Sequence, residues 1–229
     1  MIYITGDTHG ARDFYKLLSP ELSNLSKKDY VIICGDAGVL FNPRESANFI
    51  NLYSYLPFTV LFVDGNHENF ELLNSYPVEI WNGGKIHKIS DSVFHLMRGQ
   101  VFTIESKSFF TFGGALSFDK KRRVVGESWW KEEMPTAADY NEALTNLSAL
   151  NYSVDYIISH DCPKSLMKEI AEHSDKLKHE GIIISDSNEY LEHFLNRVSF
   201  KHWFFAHYHI DVTFGDRIDC LFSRLYKLT

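Results

Sequence analysis

Five runs of apolar residues, Ile2 to Ile4, Tyr30 to Cys34, Val60 to Val63, Tyr156 to Ile158 and Trp203 to Phe205, each lead into a short polar cluster. The clusters are Asp7-Thr8-His9, Gly35-Asp36, Gly65-Asn66-His67-Glu68, Ser159-His160-Asp161 and Ala206-His207-Tyr208-His209. Short, uniformly apolar runs predict strands buried on both faces. The polar residues that follow then emerge at strand carboxyl ends, the edge at which open α/β sheets place ligands.

Between these runs the pattern alternates. Helical segments are expected at Ala11 to Leu18, Arg44 to Tyr55 and Asn69 to Asn74, giving a βαβαβα unit with parallel strands. From Val78 to about Ala115 the chain turns to aromatic and β-branched segments broken by Asn82-Gly83-Gly84 and Arg98-Gly99, the signature of antiparallel strands. A polar, irregular stretch follows, to about Pro135. Thr136 with Asp139 marks the start of a helix running to about Leu150. A second α/β stretch has helices at Pro163 to Glu172 and Ser187 to Val198, the latter preceded by Asp186 with Glu189 at capping-box spacing. Strands at Asp211 to Phe214 and Ile218 to Tyr226 close the chain. No repeat or linker divides it, so residues 1–229 are expected to form a single domain.

The chain is 45% hydrophobic, enough for a substantial core. No run reaches the roughly 18 apolar residues of a membrane span, and strand character begins at Ile2, so a cytoplasmic protein without membrane association is expected. Cys34, Cys162 and Cys220 are odd in number and lack CxxC spacing, which suits buried thiols in a reducing compartment. The net charge of −7 argues against a general nucleic-acid binder, which needs a basic surface.

Asp, His and Asn offer oxygen and nitrogen donors of borderline hardness, suited to manganese, iron or zinc. Asp7 and His9 can face one point once the chain turns, and Gly6 and Gly10 permit the tight backbone. Asp36 could bridge two cations held about 3.5–4 Å apart, or simply cap a turn. The Asn66 amide could ligate a metal while His67 handles protons, although Gly65 to Glu68 could also be a turn and helix cap. His207 and His209, two apart beyond a strand, would project on one side. His160 also follows a strand.

In this order the clusters resemble the calcineurin-like metallophosphoesterase signature: D-x-H, G-D, G-N-H-[DE], a lone H, then G-H-x-H, here with Ala206 in place of the last glycine. The resemblance implies an α/β fold, a four-layer αββα sandwich of two mixed β-sheets flanked by helices, with a dinuclear metal site at strand carboxyl ends. It implies that Asp7, His9, Asp36 and His209 hold one metal ion, and Asp36, Asn66, His160 and His207 the other. The ions would be divalent or trivalent, manganese foremost, with iron, zinc, nickel or magnesium as alternatives. It implies in-line attack on a phosphomonoester or phosphodiester by a hydroxide bridging the ions, with His67 and Asp36 as the catalytic residues and His67 as general acid. Glu68, Asp64 and Asp161 are candidates for orienting the ligand imidazoles. Gly35-Asp36 lacks the Asp-Arg pair that Ser/Thr protein phosphatases carry after this motif, since Val39 and Leu40 occupy those positions. A protein-phosphatase activity is therefore not expected.

Residues 113–135 combine glycine turns, the cations Lys120 to Arg123 and the pair Trp129-Trp130. Arg122 and Arg123 could grip phosphate while Trp129 and Trp130 stack on a base, making this a substrate-recognition loop for a phosphorylated small molecule or nucleotide. It could equally be a solvated charge run beside two core tryptophans. A non-catalytic metal-binding scaffold that binds a protein partner or phosphorylated ligand is the alternative function.

Overall fold

The computed structural model describes the backbone of residues 1–229 and every side chain except those of residues 175, 176 and 180. Thirteen strands and six α-helices are present among the described residues. The first sheet contains β1 (Ile2–Thr5), β2 (Tyr30–Ile33), β3 (Thr59–Phe62), β4 (Val78–Trp81), β5 (Gly84–Ser90) and β6 (Val93–Leu96). The second contains β7 (Gln100–Ile104), β8 (Lys107–Phe112), β9 (Tyr156–Ser159), β10 (His202–Phe205), β11 (Val212–Phe214) and β12 (Ile218–Cys220). The last strand, β13 (Tyr226–Leu228), returns to the first sheet beside β1.

The sheets are ordered β13-β1-β2-β3-β6-β5-β4 and β11-β12-β10-β9-β8-β7. In each, a parallel centre is flanked by antiparallel edges: β1, β2, β3 and β6 run parallel, as do β8, β9, β10 and β12. Ile2, Ile4, Ile32, Leu61 and Val63 from one sheet and Phe109, Ile158, Phe204 and Ala206 from the other form one buried cluster, so the sheets pack face to face. Helix α1 (Ser46–Ser54) and the short α2 (Phe70–Asn74) cover the first sheet. The second is covered by α3 (Ala137–Ser148), α4 (Met167–His173), α5 (Asp175–Glu180) and α6 (Asp186–Arg197). This is the expected α/β arrangement of two mixed sheets flanked by helices. Strands buried on both faces need continuous apolar runs, and for that reason the five runs are uniformly apolar.

Some local expectations are corrected. Ala11 to Leu18 is not an α-helix but leads into a 3-10 turn, Phe14–Leu18. The helix from Ser187 begins at Asp186 instead, capped by Ser185 and Asn188, because that pair satisfies both orphan amides. Ile218 to Tyr226 is two strands in different sheets, separated where Phe222, Ser223 and Arg224 donate backbone N–H bonds to the Asp211 carboxylate. The box at Thr136 and Asp139 is present, and all three cysteines are buried and free. No helix among the described residues is long and apolar enough to cross a membrane.

Candidate metal centre

The carboxyl ends of β1, β2 and β3 meet those of β9 and β10 where the two sheets face each other, and all five polar clusters lie there. Three sets of donor atoms fall within 4.8 Å of one another: Asp7, His9 and His209; His9, Asp36 and His67; and Asp36, His160 and His207. Asp36 is the common carboxylate of the last two. Its Oδ2 lies 3.4 Å from His160 Nε2, 3.6 Å from His9 Nε2 and 4.0 Å from His67 Nε2. Asp7 Oδ2 is 2.9 Å from His209 Nε2. Asn66 joins the same group, with Oδ1 3.2 Å from His160 Nε2.

The backbone is bent to achieve this. His9, Asp36, His207 and His209 all have φ between 43° and 69°, the left-handed region that costs a non-glycine residue of order 1 kcal/mol or more. Strain concentrated at one spot marks a site held by its surroundings. Gly35, at φ 100°, has no room for a side chain, since a Cβ there would stand 2.1 Å from His160 Nδ1.

Outer contacts orient several donors. His9 Nδ1–H donates to Asp13 Oδ2 at 2.9 Å, and His160 Nδ1–H donates to the Cys34 carbonyl at 2.7 Å, so both rings present Nε2 toward Asp36. The Asn66 amide is fixed by its Nδ2, which donates to Ser117 Oγ at 3.1 Å, while that hydroxyl donates to Glu133 Oε2 at 2.6 Å. Phe222 stacks on His209 at 4.7 Å and Phe118 on His207 at 5.2 Å. Lys16, only 4% exposed, donates to the carbonyls of Asp7 and Phe222.

None of Asp13, Lys16, Ser117, Phe118, Glu133 or Phe222 is evident in the sequence patterns, apart from the i to i+4 spacing of His9 and Asp13. Conversely, the three acidic residues expected to orient imidazole ligands have other partners. Asp64 pairs with Arg98 and with His95, Asp161 accepts from Asn188 and the Cys162 amide, and Glu68 accepts from the Ala37 amide at 3.0 Å.

The donor set fits cations. Asp7 and Asp36 are buried, and Asp7 Oδ2, 2.9 Å from His209 Nε2, has its negative charge directed at the imidazole cluster. Burial opposes charge on both carboxyls, yet the surrounding imidazoles hold them below the usual carboxylate range. Burial likewise opposes charge on His9 and His160, but Asp36 and Asp7 outweigh it and push His160 up to about 10. Two buried anions thus attract positive charge from every side, as a pair of metal ions would supply it.

A cavity of about 590 Å³ opens above these residues, within the range of small-molecule sites. His9, His67 and His209 form its floor side, with Arg12, Phe41, Asn42 and Phe49 among the remaining walls. Of the four loop residues expected to bind substrate, Arg123 lines this cavity. Arg122 is exposed elsewhere, Trp129 lies under Lys120 Nζ at 4.0 Å, and Trp130 is buried in the apolar layer outside the first sheet.

A second buried polar group lies away from the centre. His87 and His95 face each other with Nδ1 atoms 3.0 Å apart, and burial together with His95 lowers the His87 pKa to about 4. An unfolded chain protonates this residue below about pH 6.5 whereas the folded chain does not until about pH 4, so stability falls as pH drops across that window. Compared with His87→Gln in urea unfolding, the wild type should lose about 1–3 kcal/mol more between pH 7 and pH 4. Parallel pH profiles would refute this.

A fold of two facing mixed sheets with clustered Asp and His at their joined edges defines a metallophosphoesterase type of architecture. Residues 1–211 match the family model for calcineurin-like phosphoesterase. The chain belongs to that family, whose members are metal-dependent phosphoester hydrolases binding divalent ions. It is 24% identical over 237 residues to a lariat debranching enzyme of Schizosaccharomyces pombe, covering 92% of this chain and 48% of that protein. The chain thus spans about half the length of this relative. A solved phosphopantetheinyl hydrolase structure from Mycobacterium tuberculosis superposes with a TM-score of 0.45 at 17% identity, over 96% of this chain and 87% of the other.

Proposed function

We propose that this chain hydrolyses a phosphomonoester or phosphodiester of a small molecule or nucleotide at a dinuclear metal centre. The observation that carries the reading is Asp36, a buried carboxylate facing His9 on one side and His160 on the other. Asp7, His9, Asp36 and His209 would hold one ion, and Asp36, Asn66, His160 and His207 the second, manganese being our choice. Bound there, the ions would neutralise charge on the phosphoryl oxygens and lower the pKa of the attacking water.

The chain's residues supply the rest. Water adds to phosphorus and loses a proton to solvent, while the bond to the leaving oxygen breaks with its electron pair staying on that oxygen. His67, part-exposed at the cavity, donates the proton that makes the leaving group an alcohol. Arg12 makes the cavity wall attractive to the anionic substrate. We place the whole reaction in one domain of residues 1–229, acting in the cytoplasm, where three reduced thiols are expected.

Hydrolysis of p-nitrophenyl phosphate and bis-p-nitrophenyl phosphate, with Mn²⁺ or with chelator, tests this reading. Metal-dependent turnover supports it, and the preferred compound separates monoesterase from diesterase. No turnover of these or of nucleotide esters with any divalent ion would favour a binding scaffold. His67→Ala should retain both ions and lose about 10²–10³-fold in kcat on esters with poor leaving groups, with a smaller loss on p-nitrophenyl esters. Loss of metal in that variant would overturn the role of His67.

A further inference from the structure

The guanidinium of Arg123 makes an unusual contact with His67. Nη1 lies 3.0 Å from Nδ1 and Nη2 lies 3.1 Å from Nε2 of the same ring. Arginine only donates, and an imidazole has at most one nitrogen lone pair in its neutral form. The two in-plane nitrogen directions also diverge, so both N–H groups cannot be met along them. Both contacts are of hydrogen-bond length, so the guanidinium lies directly against the ring along its Nδ1–Nε2 side and limits its rotation.

Arg123 is itself fixed. Its Nε and Nη2 donate to the two Asp119 carboxylate oxygens at 2.6 and 2.9 Å, and Nη1 donates to the Ser128 carbonyl at 3.0 Å. With these partners satisfied, the guanidinium has little capacity left for a phosphoryl oxygen. Edge contacts complete the enclosure of the His67 ring, from His9 at 5.6 Å and Phe41 at 5.9 Å.

We propose that Asp119 and Arg123 form a brace that holds the His67 imidazole in the orientation from which its proton reaches the leaving oxygen. Arg123 is on this account a positioning residue, and the loop carrying it acts on catalysis through His67. The inference rests on His67 being the general acid. A side chain free to rotate about its χ2 angle spends less time aligned for proton transfer, and misalignment costs rate without weakening substrate binding.

The test uses the full chain loaded with Mn²⁺, comparing phenyl phosphate with p-nitrophenyl phosphate for wild type, Arg123→Ala, Asp119→Asn, His67→Ala and the Arg123→Ala/His67→Ala double variant. Arg123→Ala should lower kcat about 10–100-fold on phenyl phosphate and less than about 3-fold on p-nitrophenyl phosphate, with KM and metal content unchanged. Asp119→Asn should move in the same direction, added guanidinium should restore part of the loss, and the double variant should be no slower than His67→Ala. In metal-free protein, the His67 ring nitrogen resonances should shift in Arg123→Ala while those of His87 and His95 stay in place. A higher KM at constant kcat, or equal losses on both esters, would instead make Arg123 a phosphate-binding residue and overturn the brace. If His67→Ala itself shows no leaving-group dependence, the acid assignment fails first. If it does and Arg123→Ala does not, the brace alone is wrong.

Discussion

Asp36→Asn is expected to lower kcat at least about 10³-fold and to release at least one metal ion, while the protein stays folded. The carboxylate is 1% exposed and its Oδ2 faces His9 and His160, so it is the group through which both donor clusters are joined. Asparagine keeps an oxygen to accept from the His67 amide, now 2.6 Å from Oδ1, but removes the negative charge and turns an N–H₂ toward imidazoles or ions. Asparagine also tolerates the left-handed φ of 49° found at this position, so the backbone should hold. Metal content by elemental analysis, far-ultraviolet circular dichroism and steady-state kinetics check the three parts together. Two ions bound with turnover within about tenfold of wild type would remove Asp36 from the bridging role.

Gly35→Ala should be among the most destabilising single substitutions in the chain, by about 3 kcal/mol or more. A methyl group there would overlap the His160 ring, at 2.1 Å from Nδ1 and 2.4 Å from Cγ, and a φ of 100° is strained for alanine in any case. The ring cannot retreat without losing its bond to the Cys34 carbonyl and its approach to Asp36. The variant should therefore melt roughly 6–12 °C lower and bind metal poorly. Thermal melts with and without Mn²⁺ measure both effects, and a melt within about 2 °C of wild type with both ions bound would contradict the steric account.

The apolar runs at Ile2, Tyr30, Val60, Tyr156 and Trp203 were legible as strands because burial on both faces demands continuous apolar sequence, a requirement written locally. The residues just beyond them were legible as one site because a strand end needs only a few positions to turn its side chains to the sheet edge. Where local signals compete, they failed in part. Ala11 to Leu18 has helical spacing, but its chain is tied by Asp13 to Thr8 and His9 and tightens into a 3-10 turn. Ile218 to Tyr226 reads as one strand, yet Asp211 draws three successive amides and sends its two halves into different sheets.

By itself the sequence determined the parallel run of the first three strands, the donor types and their position at strand carboxyl ends, since each depends on neighbours a few residues away. Only the tertiary structure decided which groups steady those donors. Ser117 and Glu133 set the Asn66 amide, Lys16 and Phe222 back Asp7 and His209, and Arg123 reaches His67 across 56 positions. Trp130, near a cationic run, is buried in the apolar layer outside the first sheet, behind the cavity wall residue Phe41. Contacts of that kind arise from how two sheets and a long loop pack, and hydrophobic burial and side-chain reach over such separations leave no periodic trace in the chain.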